Sequence, residues 1–241
     1  MPDSAIVIGV GASQGLGGAL CRRFGREGLH VFVAGRTAEK IEKVTEEVRA
    51  AGGAATAVVM DATRPDDIVR CFDAAEEIAV PKLVAYNAGN NQFRPLLEMD
   101  DAFFEDLWRL CCFGGFVTGR EAARRMLPAG GGTVLFTGAT ASIRARPPFT
   151  AFASAKAALR AVAHGMAREF GAQGIHVGHV IIDGVIDGDL VNTRFPGIKE
   201  AKGDEGMLGV DAIADAFWAL HVQKRSAWSL ELDLRPYKEQ F

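Results

Sequence analysis

Apolar and polar positions follow two rhythms along this chain, and the rhythms alternate. Ala5-Ile6-Val7-Ile8-Gly9-Val10 is an unbroken apolar, β-branched run, which predicts a buried strand. Leu16, Ala19, Leu20 and Phe24 then recur at spacings of three and four, the period of one helix face. His30–Gly35 reads as a second strand and Ala38–Ala50 as a charged amphipathic helix, with a third strand over 54–60. Pro65-Asp66-Asp67 opens another helix, with proline and acids in its first turn. A fourth strand covers 82–86. A long helical region runs over 100–126, and Pro128 with Gly130 to Gly132 stops it. A fifth strand (133–137), a helix (Thr150–Phe170) and a sixth strand (Ile175–Ile182) follow. An irregular segment fills 184–209, then a helix over 211–222 and a last strand over 228–234.

Strands that alternate with helices imply a parallel sheet covered on both faces. The fold class is therefore α/β: one doubly wound, Rossmann-type domain over 1–241, with about seven strands. Ligands of such sheets bind beyond the carboxyl ends of the strands. Residues 184–209 are the expected substrate loop.

The first such end is the most informative. Gly11-Ala12-Ser13-Gln14-Gly15-Leu16-Gly17 lies between the first strand and the first helix. Glycines let a backbone turn sharply and approach a pyrophosphate, and a helix N-terminus offers unpaired N–H groups at the positive end of its dipole. Strand, glycine turn and helix together make a nucleotide site, where a glycine cluster alone would be a plain turn.

Composition narrows the classes of function. The 241 residues carry a formal net charge of −3 and no Pro- or Ser-rich linker, which fits one domain and gives no electrostatic footprint for nucleic acid or an anionic membrane. No apolar run is long enough to span a bilayer, and Met1-Pro2-Asp3-Ser4 does not resemble a signal-peptide start. Cys21, Cys71, Cys111 and Cys112 show no Cys-x-x-Cys spacing, so reduced thiols, a cytoplasmic location and no metal site are expected.

Four features in order resemble the short-chain dehydrogenases/reductases, and the resemblance covers nearly the whole chain. Gly11-x-x-x-Gly15-x-Gly17 matches that family's nucleotide turn, with Val10 where a threonine is usual. Asp61 stands where the family has an aspartate holding the adenine, and Asn87-Ala88-Gly89 matches its Asn-Ala-Gly. Lys156 matches the lysine of its Tyr-x-x-x-Lys. The resemblance implies a dinucleotide held by Gly11, Ser13, Gly15, Leu16, Gly17, Arg36, Thr37, Asp61, Ala62, Asn87, Ala88, Gly89, Lys156 and Gly184. At the end of the second strand, Gly35-Arg36-Thr37 has no carboxylate for the ribose hydroxyls of NAD, and a guanidinium can fork onto a 2′-phosphate. NADP(H) is therefore expected over NAD(H), with Ser13 and Thr37 as extra donors. The alternative is a solvated Arg36 pairing with Glu39.

The catalytic end departs from the family. Where the family has its proton-passing tyrosine, four residues before the lysine, stands Phe152. Where it has the serine that holds the substrate oxygen stands Ala139, and Cys111 replaces the asparagine of the proton relay. Of those groups only Lys156 remains, and its second family role is at the nicotinamide ribose. Thr140, which a one-residue slip would bring into place, and Asp183 are candidate substitutes; Ser142 lies near them. Asp183 and Asp187 also read as a polar turn with Gly184 and Gly188. His164, His176 and His179 read as structural, and Cys111 and Cys112 as small core residues, since no basic neighbour is evident in sequence.

The expected pocket walls are 90–97, 142–149 and 188–207, which bring Phe93, Phe149, Phe195 and Met207 with Arg94, Arg144 and Arg146. No substrate can be named from them. The chain ends in 235–241 without the family's glycine-rich tail, so a homo-oligomer is expected but not its type. Three functions stand: an NADP(H)-dependent oxidoreductase of carbonyls or alcohols with a non-standard proton donor, a pseudoenzyme that binds NADP(H) as a sensor or partner, and a non-redox enzyme on the same fold.

Overall fold

A computed structural model describes residues 3–238. Its centre is a seven-stranded sheet in the order β3-β2-β1-β4-β5-β6-β9, every neighbouring pair parallel. These strands are β1 (Ser4–Ile8), β2 (His30–Gly35), β3 (Ala54–Val59), β4 (Pro81–Tyr86), β5 (Gly132–Thr137), β6 (Ile175–Ile182) and β9 (Glu231–Leu234). Helices α1 (Leu16–Arg26), α2 (Ala38–Ala50) and α9 (Val210–His221) cover one face. Helices α3 (Pro65–Glu76), α5 (Gly114–Met126) and α6 (Thr150–Phe170) cover the other. The chain winds outward from β1 to β3, then returns to start β4 on the far side of β1. That reversal opens a crevice at the carboxyl ends of β1 and β4.

β1 shows how the apolar runs build this. Ala5 and Val7 pack towards α1, α2 and α9, while Ile6 and Ile8 pack towards α3, α5 and α6. A strand buried on both faces has no polar rhythm, so its sequence is continuously apolar. Each fully buried aliphatic side chain contributes about 1.5–3 kcal/mol.

Three expected elements differ in detail. The helical region over 100–126 is broken: α4 (Asp101–Trp108) passes through a π-turn at Arg109–Phe113 before α5. The Tyr86 hydroxyl donates to the Leu110 carbonyl at 2.5 Å, so a backbone group in the widened turn is satisfied from β4. The segment 184–209 is not irregular throughout. It holds a two-stranded parallel ribbon, β7 (Ile186–Asp187) with β8 (Leu208–Gly209), and between them the short helices α7 (Asp189–Arg194) and α8 (Ile198–Lys202). The last strand starts three residues later than its aromatic opening suggested, because the Trp228 indole donates to the Gln223 carbonyl in a turn instead. Residues 1, 2 and 239–241, which belong to the expected chain start and tail, lie outside the described residues.

All four cysteines are free and buried, Cys21 on one side of the sheet, Cys71 on the other, and Cys111 with Cys112 in a third apolar cluster under α6. Among the described residues no helix is long and apolar enough to cross a membrane.

Gly9 ends β1 at φ +94°, and a Cβ there would lie 2.3 Å from the Ala88 backbone nitrogen. Both the backbone angle and the neighbour exclude a side chain. Gly9→Val should therefore cost at least about 2 kcal/mol. Urea unfolding checks this: the midpoint falls while the slope is kept, and an unchanged midpoint would contradict the crossing.

Candidate cofactor and substrate site

Asn87 holds the crevice open in its shape. Its backbone N–H donates to the Ile8 carbonyl (2.8 Å), its Nδ2 donates to the Gly9 carbonyl (3.3 Å), and its Oδ1 accepts from the Thr137 hydroxyl (3.1 Å). One side chain thus ties the ends of β1, β4 and β5. α1 begins on Gly15 as its N-cap with no side chain capping it, so the glycine turn faces the first-turn N–H groups. The crevice holds a cleft of about 220 Å³, lined by Gly11, Arg36, Thr37, Ala62, Ala88 and Gly89 among the expected residues, and by Gly9 besides. A Cβ on Gly11 would meet nothing within 4 Å, so that position opens onto the cleft. Gly15, Leu16 and Gly17 stand behind the turn, with Leu16 and Gly17 buried.

Three expected donors or acceptors are placed differently. The Ser13 hydroxyl donates to Glu47 (2.6 Å), which is also paired with Arg22, so Ser13 is committed to α2 and not to the cleft. Asp61 caps its own turn by accepting from the Thr63 N–H (2.9 Å) and hydroxyl (2.8 Å), and it does not line the cleft. Gly184 lies against the C-terminal segment, where a Cβ would come 2.7 Å from Pro236. Conversely, Lys40 lines the cleft although it was not among the expected residues. Its place in the first turn of α2, directly after the end of β2, was the available signal. Arg36 is exposed and, among the described residues, has no hydrogen bond or ion pair; the expected alternative pairing with Glu39 does not form.

The catalytic positions converge. Lys156 is 4% exposed and donates to the Thr137 carbonyl at 2.8 Å. A Cβ built on Gly89 would lie 3.2 Å from Lys156 Nζ and 3.7 Å from Cys111 Sγ, so these three positions meet at the cleft floor. Burial pushes the Lys156 ammonium below its ordinary pKa, and Cys111 opposes that shift. Cys111 thus has a basic neighbour after all, brought from a helix 45 residues on and invisible in local sequence. The Phe152 ring centroid lies 5.8 Å from Lys156 Nζ. Ala139 is partly buried against the same apolar cluster as Phe152 and Cys111.

The candidate substitutes are locked into polar clusters. Asp183, 2% exposed, accepts from the Thr140 hydroxyl (2.6 Å) and the Arg144 guanidinium (2.8 and 2.9 Å), and pairs with Arg235 (3.1 Å). A carboxylate ringed by donors accepts protons' hydrogen bonds and has none to give, and Thr140 has spent its proton on it. Ser142 accepts the Ala139 N–H (3.1 Å) and lies 3.4 Å from His179 Nε2. His179 Nδ1 is 3.0 Å from Glu231, which also takes Arg160 in a fork (2.6 and 2.9 Å) and His164 (3.2 Å). His176 contacts the Ser229 carbonyl (2.9 Å) and stacks on Trp228, in keeping with the structural reading of all three histidines. Of the wall residues, Arg94 pairs with Asp100 (2.5 Å), Phe93 packs on Phe149 with centroids 5.2 Å apart, and Arg146 is exposed. Met207 is partly buried beside β8, and Asp187 bonds Asn192 and Lys199 within the loop.

With this geometry in place, comparison with known proteins is specific. The short chain dehydrogenase family profile matches residues 5–198. The A-factor type gamma-butyrolactone 1′-reductase of Streptomyces virginiae is 34% identical over 204 residues, 82% of this chain and 77% of that one. The gluconate 5-dehydrogenase of Gluconobacter oxydans is 30% identical over 73% of this chain and 69% of its own. The crystal structure of a short-chain dehydrogenase from Rhodopseudomonas palustris superposes with a TM-score of 0.82 at 39% identity, covering 98% of this chain and 99% of that one. This chain belongs to the short-chain dehydrogenases, a family of NAD(P)-binding oxidoreductases.

The lower cluster sets a pH limit. Burial pushes His179 down to about 4, with Glu231 opposing, while the hydrogen bond from Arg160 leads in holding Glu231 down at about 2. An unfolded histidine takes up its proton near 6.5, so between 6.5 and about 4 the unfolded state binds more protons than the folded one. Stability is therefore expected to fall as pH drops through that window, with Glu231 adding a further loss below 4.5. Urea midpoints at pH 7.5 and pH 5 measure the drop. His179→Gln should shrink it, and an equal drop in the variant would place its origin elsewhere.

Proposed function

We propose that this chain is an NADP(H)-dependent oxidoreductase of a carbonyl or alcohol substrate, with NADP(H) preferred over NAD(H). The observation that carries this is a cleft at the sheet's reversal point with two cations on its rim, Arg36 and Lys40, and no carboxylate in its lining. The open Gly11 position and the uncapped start of α1 fit a pyrophosphate. Solved relatives at 20–23% identity, an actinorhodin polyketide ketoreductase with NADPH and a metagenomic short-chain oxidoreductase in complex with NADP, share the fold at TM-scores of 0.86 and 0.83. When bound, the nicotinamide supplies or receives a hydride.

The chain's own groups do the rest. Gly9, Gly11 and the α1 N-terminus receive the diphosphate. Arg36 and Lys40 receive the 2′-phosphate, with Thr37 beside them. Lys156, fixed by the Thr137 carbonyl beside Gly89, would hold the nicotinamide ribose. Its ammonium lies beside the Phe152 ring, and burial makes it a better acid than an exposed lysine. With Thr140, Ser142 and Asp183 committed to other partners, the proton reaches the substrate oxygen from Lys156 through solvent. Phe152, Ala139 and Cys111 shape an apolar wall around the reacting carbon. Trp108, Phe113 and Phe116, ring to ring at 6.3 Å with Trp108 and Phe116 exposed on α4 and α5, support a homo-oligomer that buries them.

Nicotinamide fluorescence titration should show NADPH binding at least about tenfold more tightly than NADH, and Arg36→Glu should erase the difference. Equal affinities in the parent protein would overturn the preference. Lys156→Ala should weaken NADPH by several-fold; unchanged binding would remove the lysine from the ribose.

A positioned acid–base group contributes about 10²–10⁴-fold. Phe152→Tyr with Ala139→Ser should therefore raise NADPH consumption on activated ketones by about that range, and Phe152→Tyr alone by less. Brisk parent turnover that the double change abolishes would show that Phe152 belongs to a working pocket. A silent parent beside an active double variant would instead make the chain an NADP(H)-binding protein without catalysis.

A further inference from the structure

The three loops that wall the substrate side meet at one side chain. Phe93, from the loop after β4, packs on Phe149, at the start of α6. The Arg94 N–H donates to the Pro148 carbonyl (3.2 Å), so the first two loops are also tied by backbone. Arg194, the last residue of α7, places its guanidinium carbon 5.6 Å from the Phe93 ring centroid and 5.4 Å from that of Phe195.

Arg194 differs from Arg94, Arg144 and Arg235, which have acidic partners, and from Arg146, whose exposed side chain has neither a polar partner nor a ring contact among the described residues. Arg94 is neutralised by Asp100, and Arg144 and Arg235 by Asp183. Among the described residues Arg194 has ring contacts but no hydrogen bond and no ion pair. The exposed Arg194 guanidinium is flanked by two half-exposed phenylalanine rings, and its five N–H donors have no protein acceptor among the described residues. That is an arrangement ready for a planar or tetrahedral oxyanion.

We propose that Arg194 anchors a negatively charged group of the substrate, a carboxylate or a phosphate, with Phe93 and Phe149 bedding the apolar part. The substrate class is thus an anionic carbonyl or alcohol compound. This rests on the oxidoreductase reading above, and the experiment separates the two.

Isothermal titration of the NADPH-loaded protein uses two matched pairs of probes: benzoylformate with its methyl ester, and benzyl phosphate with benzyl alcohol. NADPH affinity is measured first in each variant. Either anionic probe should bind at least about tenfold more tightly than its neutral partner, and the pair with the larger ratio identifies carboxylate or phosphate. Arg194→Ala should bring the anionic probe down to the neutral one and leave the neutral probe and NADPH unchanged. Arg194→Lys should restore part of the ratio, because charge is kept and the fork is lost. Equal binding of acid and neutral probe, no binding of any probe, or an unchanged acid in Arg194→Ala would overturn the proposal. A loss of NADPH affinity in Arg194→Ala would also overturn it, by assigning the anion to the cofactor. Failure of the parent protein to bind NADPH at all would instead defeat the oxidoreductase reading.

Discussion

Everything in this molecule's upper half depends on the contact between two backbones, Gly9 at the end of β1 and Asn87-Ala88 at the end of β4. The sheet reverses direction between these strands, and the crevice exists because they part there. They can part only after crossing at a distance that no Cβ would allow. Asn87 then fixes the geometry with bonds to Ile8 and Gly9 and from Thr137. Thr137 in turn offers its carbonyl to Lys156. A chain of short polar contacts therefore runs from the glycine turn to the floor of the substrate side. A shift in one strand end would be felt at the other, because each member is hydrogen-bonded to the next.

Beneath that floor lie two carboxylates, Asp183 buried and Glu231 partly buried, each met by arginine. Such groups are costly to desolvate, and their partners recover that cost only when every lone pair is used. Here both are used to bind distant pieces of chain: Asp183 joins the end of β6 to the loop after β5 and to the residue after β9, and Glu231 joins β9 to α6 and β6. This accounts for why polar residues near the reacting end are unavailable for proton transfer. They hold the loops that form the pocket.

Much of this was legible in the sequence, and the rest for physical reasons was not. Buried strands and the amphipathic helices α2 and α6 announce themselves by period, and the bounds of α2 and α6 match their patterns. The π-turn does not, because a single widened turn barely disturbs the spacing of apolar positions and the Tyr86 hydroxyl that satisfies its Leu110 carbonyl comes from β4. The place of Arg36 and Gly11 in the cleft lining was legible because it follows from position beside a strand end. The protein partners of Ser13, Thr140 and Asp183 were not legible, because a polar side chain can serve a ligand or a neighbour, and Glu47, Arg144 and Arg235 are remote from them in sequence or meet them only through the fold. Arg194 escaped notice for the opposite reason: its significance lies in having no polar partner, which only three-dimensional placement can reveal.

The four free thiols are distributed in a useful way. Cys21 is sealed on the α1 side of the sheet, Cys71 on the α3 side, and Cys111 and Cys112 beneath α6 at the cleft floor. Burial pushes Cys71 up to about 12 and Cys112 to about 11, so each is inert to alkylation while its layer stays closed. A closed layer must open before its sulfur can react, and layers of one domain open with different free energies. The protein therefore carries a native clock in each of its three apolar compartments. The order in which the sulfurs become reactive would be the order in which the compartments breathe.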